Sequence, residues 1–245
     1  MNYLLNLINL VLNYSLATKI DFAAAMAAKI SKSTKSVGFY HGMDAFNAPH
    51  RYFMEFTHYD IYFASTKGEV DHIKALSNQF CHGSHPTVGE FRYLRDRIIK
   101  SYDKKGPQNF NIISNKPVIL YIPIMRKIRL NMPIDLGLPS TIAHLEWHKS
   151  LFDYFSYRKE YNFIWKALLQ PKFNYDPIKN IIDQKKCENL TFSDTNIQSW
   201  LLKADRVICD VPSTAYFEAC FAGKPVITFY NPNKQNLRDN AYDTF

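Results

Sequence analysis

The chain has 245 residues, 47% of them hydrophobic and 15% aromatic, which supplies a core for one large or two small domains and excludes a disordered segment. A formal net charge of +8 suits an anionic partner such as a nucleotide phosphate or a membrane surface; the basic residues are dispersed and no DNA- or RNA-binding motif occurs, so nucleic acid is not expected. The four cysteines, Cys81, Cys187, Cys209 and Cys220, lack the close pairing of a zinc or redox motif, and Cys209 and Cys220 are expected to be small buried hydrophobes in a reducing compartment.

Met1 to Thr18 carries no charge and is rich in Leu, Ile and Val. Asn2, Asn6, Asn9 and Asn13 recur at helical spacing opposite Leu5, Ile8, Leu12 and Leu16, with no positive leader before them. The expectation is an amphipathic helix packed on a protein core, with an interfacial membrane helix as the alternative. Asp21 to Ile30 is alanine-rich and predicts a helix. Ser36 to His41 reads as a buried strand closing on Gly42, and Tyr59 to Ser65 as another. Thr66, with Glu69 three residues on, predicts a capping box opening the next helix. Two strands with their helices fit the last part of a Rossmann-like domain. The run Phe80 to Pro86 holds Cys81, His82 and His85, but a single cluster without a second pair of ligands predicts a loop or helix approach near the domain cleft, not a structural zinc site. A helix is expected from Glu90 to Tyr102, with Arg92, Arg95 and Arg97 on a solvated face; a patch for lipid head groups is the alternative.

Asp103 to Lys116 is polar and turn-rich and reads as a linker, dividing the chain into domains over 1–105 and 106–245. Val118 to Ile122 predicts a strand ending at the Pro123 turn. Ser140 to Lys159 predicts a helix with His144 and His148 one turn apart; Glu146 lies two residues after the first histidine, whereas a zincin needs it directly after, so no metal site is expected. Tyr161 to Leu169 and Cys187 to Ser193 read as strands, and Asp194-Thr-Asn as the cap of a helix from Ile197.

The stretch from Asn196 to Pro232 is the most informative. Arg206 to Asp210 is an apolar strand, Pro212-Ser213-Thr214 a turn, Ala215 to Ala222 a helix stopped by Gly223, and Val226 to Tyr230 a second strand. Such a unit implies a parallel sheet flanked by helices. Ligands of these sheets settle at the carboxyl ends of the strands, where the next helix presents unpaired N–H groups and its positive dipole end. Ser213 and Thr214 sit there. Each hydroxyl can cap the helix or face a phosphate oxygen, and Glu218, one turn further in, can accept from a ribose diol. The plain alternative is an ordinary N-cap followed by a solvated glutamate.

The segment Asp210-Val-Pro-Ser-Thr-Ala-Tyr-Phe-Glu218-Ala-Cys-Phe-Ala-Gly223-Lys-Pro225-Val-Ile resembles the nucleotide-binding signature of GT-B glycosyltransferases and the related UDP-N-acetylglucosamine epimerases and CDP-glycerol glycerophosphotransferases. The resemblance implies an α/β fold of two Rossmann-like domains: an incomplete N-terminal, acceptor-side domain (1–105) and a C-terminal donor-binding domain (106–245). It implies donor-phosphate contacts from Ser213 and Thr214, a ribose contact from Glu218, and Asp210 as a further donor-binding residue. His41-Gly42-Met43 after a strand, followed by Asp60-Ile-Tyr-Phe-Ala-Ser65 and a helix, is similar to the N-terminal domain of CDP-glycerol glycerophosphotransferases. That likeness implies His41 as general base, and a histidine of near-neutral pKa can take the proton of an acceptor hydroxyl; the alternative is a strand-ending histidine bonded to backbone.

Lys116 to Arg126 resembles the opening of the C-terminal domain in the same family, with Ile124 where threonine is usual, and implies Arg126 as a phosphate clamp. Lys166-Ala-Leu-Leu-Gln-Pro171 stands where those relatives carry Lys/Arg-Pro-His-Pro, a departure that bears on glycerophosphate transfer in particular. The implied protein is a cytoplasmic transferase, or one peripheral on the inner face of the membrane. It would move a sugar or polyol phosphate from a nucleotide-activated donor to a hydroxyl of a polysaccharide or lipid-linked acceptor in surface-polymer biosynthesis, without metal or other cofactor. The alternatives are a nucleotide-sugar epimerase and a non-catalytic nucleotide binder.

Overall fold

A computed structural model describes residues 10–13, 19–31, 34–39, 56–80, 86–91, 96, 100, 112–113, 115–123, 141–167 and 177–229. The chain divides into two units, one comprising Met1–Met43 with Asn47–Asp96 and the other Asp44–Phe46 with Arg97–Phe245. His41, Arg126 and the Cys81, His82 and His85 cluster lie outside the described residues.

The first unit holds a four-stranded sheet in the order β1-β2-β3-β4, made by Leu10–Asn13, Lys35–Phe39, Ile61–Ala64 and Thr87–Glu90, all parallel. Between them run α1, Lys19–Ile30, and α2, Lys67–Phe80. Ala25 of α1, Tyr62 and Ala64 of β3, and Val70, Ile73 and Leu76 of α2 meet in one core with Phe56 and Tyr59. The expected capping box forms: Glu69 Oε2 accepts from the backbone N–H groups of Ser65 at 2.9 Å and Thr66 at 3.2 Å, while Thr66 Oγ1 accepts from Glu69 N–H at 3.2 Å.

Gly38 in β2 is there for space, because a Cβ would lie 2.5 Å from the Tyr59 ring and 2.7 Å from that of Tyr62. Register between β2 and β3 is pinned at one end by Asp60, whose Oδ2 accepts from Ser36 N–H at 2.8 Å and Ser36 Oγ at 3.0 Å. Burial alone would raise the Asp60 pKa, but the Ser36 hydrogen bonds and the charge of Lys35 outweigh it and hold the carboxyl below its ordinary value.

Two readings of this half are corrected. Leu10–Asn13, expected within an amphipathic helix, is a strand whose residues pair with Lys35 to Gly38; pairing with a neighbouring strand overrides a helical spacing of asparagines. Glu90, expected to open a helix, closes β4 opposite Ala64.

The second unit is a five-stranded parallel sheet in the order β7-β6-β5-β8-β9. Its strands are β5 Val118–Ile122, β6 Asn162–Lys166, β7 Leu190–Ser193, β8 Arg206–Cys209 and β9 Val226–Thr228. Its helices are α3 Thr141–Tyr157, α4 Pro177–Lys185, α5 Ile197–Lys203 and α6 Thr214–Phe221. Successive β5 side chains alternate between two cores, as a pleated strand buried on both faces must. Ile119 and Tyr121 join Phe152, Phe155, Phe163, Trp165, Ile178 and Ile182 under α3 and α4. Val118, Leu120 and Ile122 join Ile164, Trp200, Leu201, Val207 and Ala219 under α5 and α6.

Polar ties fix the helices at their ends. Asn196 Oδ1 caps α5 by accepting from Gln198 N–H at 2.9 Å, as expected from its sequence position. Trp200 Nε1 donates to Ser193 Oγ at 2.5 Å and to Thr195 Oγ1 at 2.9 Å, holding α5 to the end of β7. Helix α6 ends in a Schellman motif: Gly223 takes φ +66°, its N–H donates to Cys220 O at 2.9 Å, and Lys224 N–H donates to Ala219 O at 3.1 Å. Helix α4 was not anticipated. Among the described residues no helix is long and apolar enough to cross a membrane.

Candidate functional site

The first strand of the second sheet, β5, has β6 and β7 on one side and β8 and β9 on the other. The chain therefore reverses its direction of travel between β5 and β8, and connections leaving adjacent carboxyl ends there part to opposite faces. That switch point is where open parallel sheets take their ligands. The turn Asp210 to Ser213 leaves β8 at this edge and delivers the chain into α6.

Ser213 occupies the N-cap of α6 with extended backbone, φ −97° and ψ −171°, but its hydroxyl makes no capping hydrogen bond. The helix starts instead on the Ser213 carbonyl, which accepts from Tyr216 N–H at 2.9 Å and Phe217 N–H at 3.3 Å. The ordinary reason for serine at this place is therefore not in use. Thr214 and Glu218 are one helical turn apart and share a face, and Ser213, Thr214 and Glu218 are all half-buried. The helix start therefore presents two hydroxyls and the positive end of the dipole, with an acid one turn in.

Asp210 has a different setting. It is 8% exposed, and both carboxylate oxygens meet protein groups: Oδ1 accepts from the Tyr121 hydroxyl of β5, while Oδ2 lies 2.9 Å from His144 Nε2 and 3.4 Å from His148 Nε2 of α3. The two imidazoles are buried, their ring centroids 3.8 Å apart, and His148 is walled edge-on by Trp165 at 4.6 Å and Tyr121 at 5.7 Å. Burial alone would raise the Asp210 pKa, but the hydrogen bonds from His144, His148 and Tyr121 reverse it and hold the carboxyl well below the usual range. The same burial, with the Asp210 charge alongside, drives the Tyr121 phenol upward, so it stays a hydrogen-bond donor.

The sequence placed His144 and His148 on one helix face and Asp210 at a strand end. It gave no sign that they meet, because the contact spans more than sixty residues and depends on strand order.

Lys166, at the carboxyl end of β6, is also buried; it donates to the Ala167 carbonyl. Burial lowers its pKa against the raising influence of Asp194. Of the two cysteines expected to be buried, Cys209 is, and burial pushes its thiol upward. Cys220 is exposed, because the adjacent Ala219 carries the inward face of α6.

No curated protein matches the chain. The solved UDP-GlcNAc 2-epimerase from Neisseria meningitidis bound to UDP-GlcNAc is 18% identical, with a TM-score of 0.58, over 91% of this chain and 59% of that one. The wall teichoic acid polymerase TagF is 14% identical, with a TM-score of 0.45, over 83% of this chain and 51% of that one. A glycosyltransferase from Rickettsia africae is 16% identical at the same TM-score, over 90% and 57%. The chain thus spans between half and three-fifths of the length of these structures. The epimerase likeness is one of fold, parallel α/β of the Rossmann type in two parts; the other two are too distant to carry an argument. The sequence profile of LIC12162 family transferases matches residues 10–245, nearly the whole chain, and the protein belongs to that family of transferases.

Proposed function

We propose that this transferase moves a sugar or polyol phosphate from a nucleotide-activated donor to a hydroxyl acceptor. The observation that carries the reading is the turn at the β5/β8 switch point, where Ser213 occupies an N-cap without using its hydroxyl to cap and Glu218 follows one turn beyond Thr214. In this reading the donor diphosphate takes hydrogen bonds from the two hydroxyls and from the first N–H groups of α6, and the ribose diol donates to Glu218. Asp210 has its oxygens engaged by Tyr121, His144 and His148 and acts by holding the turn in place.

His41 is proposed as the general base for the acceptor hydroxyl and Arg126 as a further phosphate contact; both roles rest on the sequence resemblance. Charge that develops on the leaving nucleotide, a diphosphate in sugar transfer from a diphosphate donor and a monophosphate in polyol-phosphate transfer, would be stabilised where the helix dipole and hydroxyls already point. The acceptor, a polysaccharide or lipid-linked chain, and a cytoplasmic location with peripheral membrane contact belong to the same proposal.

The test is product analysis with UDP-, GDP-, CMP- and CDP-linked donors, with and without hydroxyl acceptors. Release of a nucleoside mono- or diphosphate only when acceptor is present supports the transferase. An altered sugar from the donor alone indicates epimerisation, and a raised melting temperature with no product indicates a binding protein. Under the proposal Glu218→Ala weakens donor binding and His41→Ala lowers turnover.

A further inference from the structure

We propose that His144, His148 and Asp210 form a binding site for one divalent transition-metal ion, with zinc the first choice. Residues four apart on a helix lie one above the other on the same face, so α3 offers two imidazoles together, and the turn after β8 brings a carboxylate against them.

The spacing suits an ion. Metal–nitrogen and metal–oxygen bonds of about 2.0–2.2 Å in a tetrahedral site set neighbouring ligand atoms about 3.3 Å apart. Asp210 Oδ2 lies 2.9 Å and 3.4 Å from the two Nε2 atoms, and the three ligand atoms are all within 4.8 Å of one another. Two sides of the triangle thus have the length of an edge of such a tetrahedron, and the third is at most 4.8 Å.

The surroundings are those of a built site. All three residues are more than nine-tenths buried, at 6%, 5% and 8% exposure. Tyr121 donates to the second carboxylate oxygen, orienting the ligand as outer-shell partners do, and Trp165 and Tyr121 hold the His148 ring edge-on. A buried carboxylate beside two neutral imidazoles carries one negative charge, which a bound dication turns to a single positive one. Two nitrogens and one oxygen favour zinc and its first-row neighbours over calcium or magnesium, which take oxygen ligands.

Because the ligands come from α3 and from the turn that opens α6, the ion would clamp these elements together beside the β5/β8 edge. The proposal does not depend on the donor reading, since metal binding is measured without donor.

The full chain, stripped with a chelator, is titrated with zinc against a chromophoric competitor and then with cobalt(II). The expected results are one zinc per chain and intense visible cobalt bands of tetrahedral coordination. His148→Gln and Asp210→Asn should each lower zinc affinity at least about tenfold, the lower bound for losing even an outer-shell partner. His82→Gln with His85→Gln should leave it unchanged. X-ray absorption at the zinc edge of the unmutated protein covers the case in which a variant fails to fold: it should show two imidazoles and no sulfur. No stoichiometric binding, affinity unchanged in the His148 and Asp210 variants, loss on the His82/His85 change, or sulfur scattering from the cysteines would each overturn the proposal.

Discussion

His144 Nε2 on α3 lies 2.9 Å from Asp210 Oδ2 at the end of β8, a contact between residues 66 positions apart. With His148 from the same helix and Tyr121 from β5 on the same carboxylate, side chains from two separate elements fix where the β8–α6 turn stands. The position of Ser213, Thr214 and Glu218 follows from that anchor.

Asp210→Asn should therefore destabilise the second unit even in chelator-treated protein. Hydrogen bonds to a buried charge contribute about 1.5–3 kcal/mol, so the loss expected from urea unfolding is about that size. A change within about 0.5 kcal/mol would show that the cluster does not anchor the turn.

Ser213→Ala separates a capping serine from a ligand-facing one. An N-cap serine replaced by alanine costs about 1 kcal/mol, whereas here the hydroxyl makes no cap bond. The expected stability change is within about 0.5 kcal/mol, with a loss of donor affinity by calorimetry. A destabilisation of a full kcal/mol with donor affinity intact would return Ser213 to a purely structural role.

Three glycines should respond differently to alanine. Gly38→Ala forces a Cβ to 2.5 Å from an aromatic ring and should cost about 1–3 kcal/mol, as overpacking does. Gly223→Ala meets nothing within 4 Å but keeps φ +66°, so only the left-handed backbone penalty of about 1–2 kcal/mol remains. Gly68→Ala, in a helix with open space around it, should be neutral or stabilising by up to about 1 kcal/mol. Chemical denaturation of the three variants reads the order directly.

Acid should weaken the first unit through Asp60. Its folded pKa is below its ordinary value, so its contribution is fully present above the unfolded value of about 3.9 and is lost as pH falls through the folded one. Asp60→Asn should be less stable than the parent at neutral pH, with the gap closing below about pH 4. A gap independent of pH would show that the charge of Asp60 is not what Ser36 stabilises.

The strands on either side of the β5/β8 switch point were legible in sequence because Val118 to Ile122 and Val207 to Cys209 are apolar on both faces, as buried parallel strands are. Gly223 and the Thr66/Glu69 pair were legible because turn and cap chemistry is local. Leu10–Asn13 was not, since four residues do not separate a strand from a helical turn until a partner strand is in place. Helix α4 was legible as well, with Asp176 in the N-cap place before Pro177 at the first helical position, although its short length left it unanticipated. The meeting of Asp210 with His144 and His148 depended on strand order, which no local pattern encodes; each residue was visible, and their conjunction was not.

The central claim is that the β8–α6 turn binds the diphosphate and ribose of a nucleotide-activated donor. Calorimetric titration of the full chain and of Glu218→Ala with UDP-, GDP-, CMP- and CDP-linked donors tests it most directly. The account predicts that at least one donor binds the parent chain and that the substitution weakens it about tenfold or more, the loss of hydrogen bonds to a charged acceptor. Equal affinity in the two proteins, or no binding by any of the donors, would contradict it.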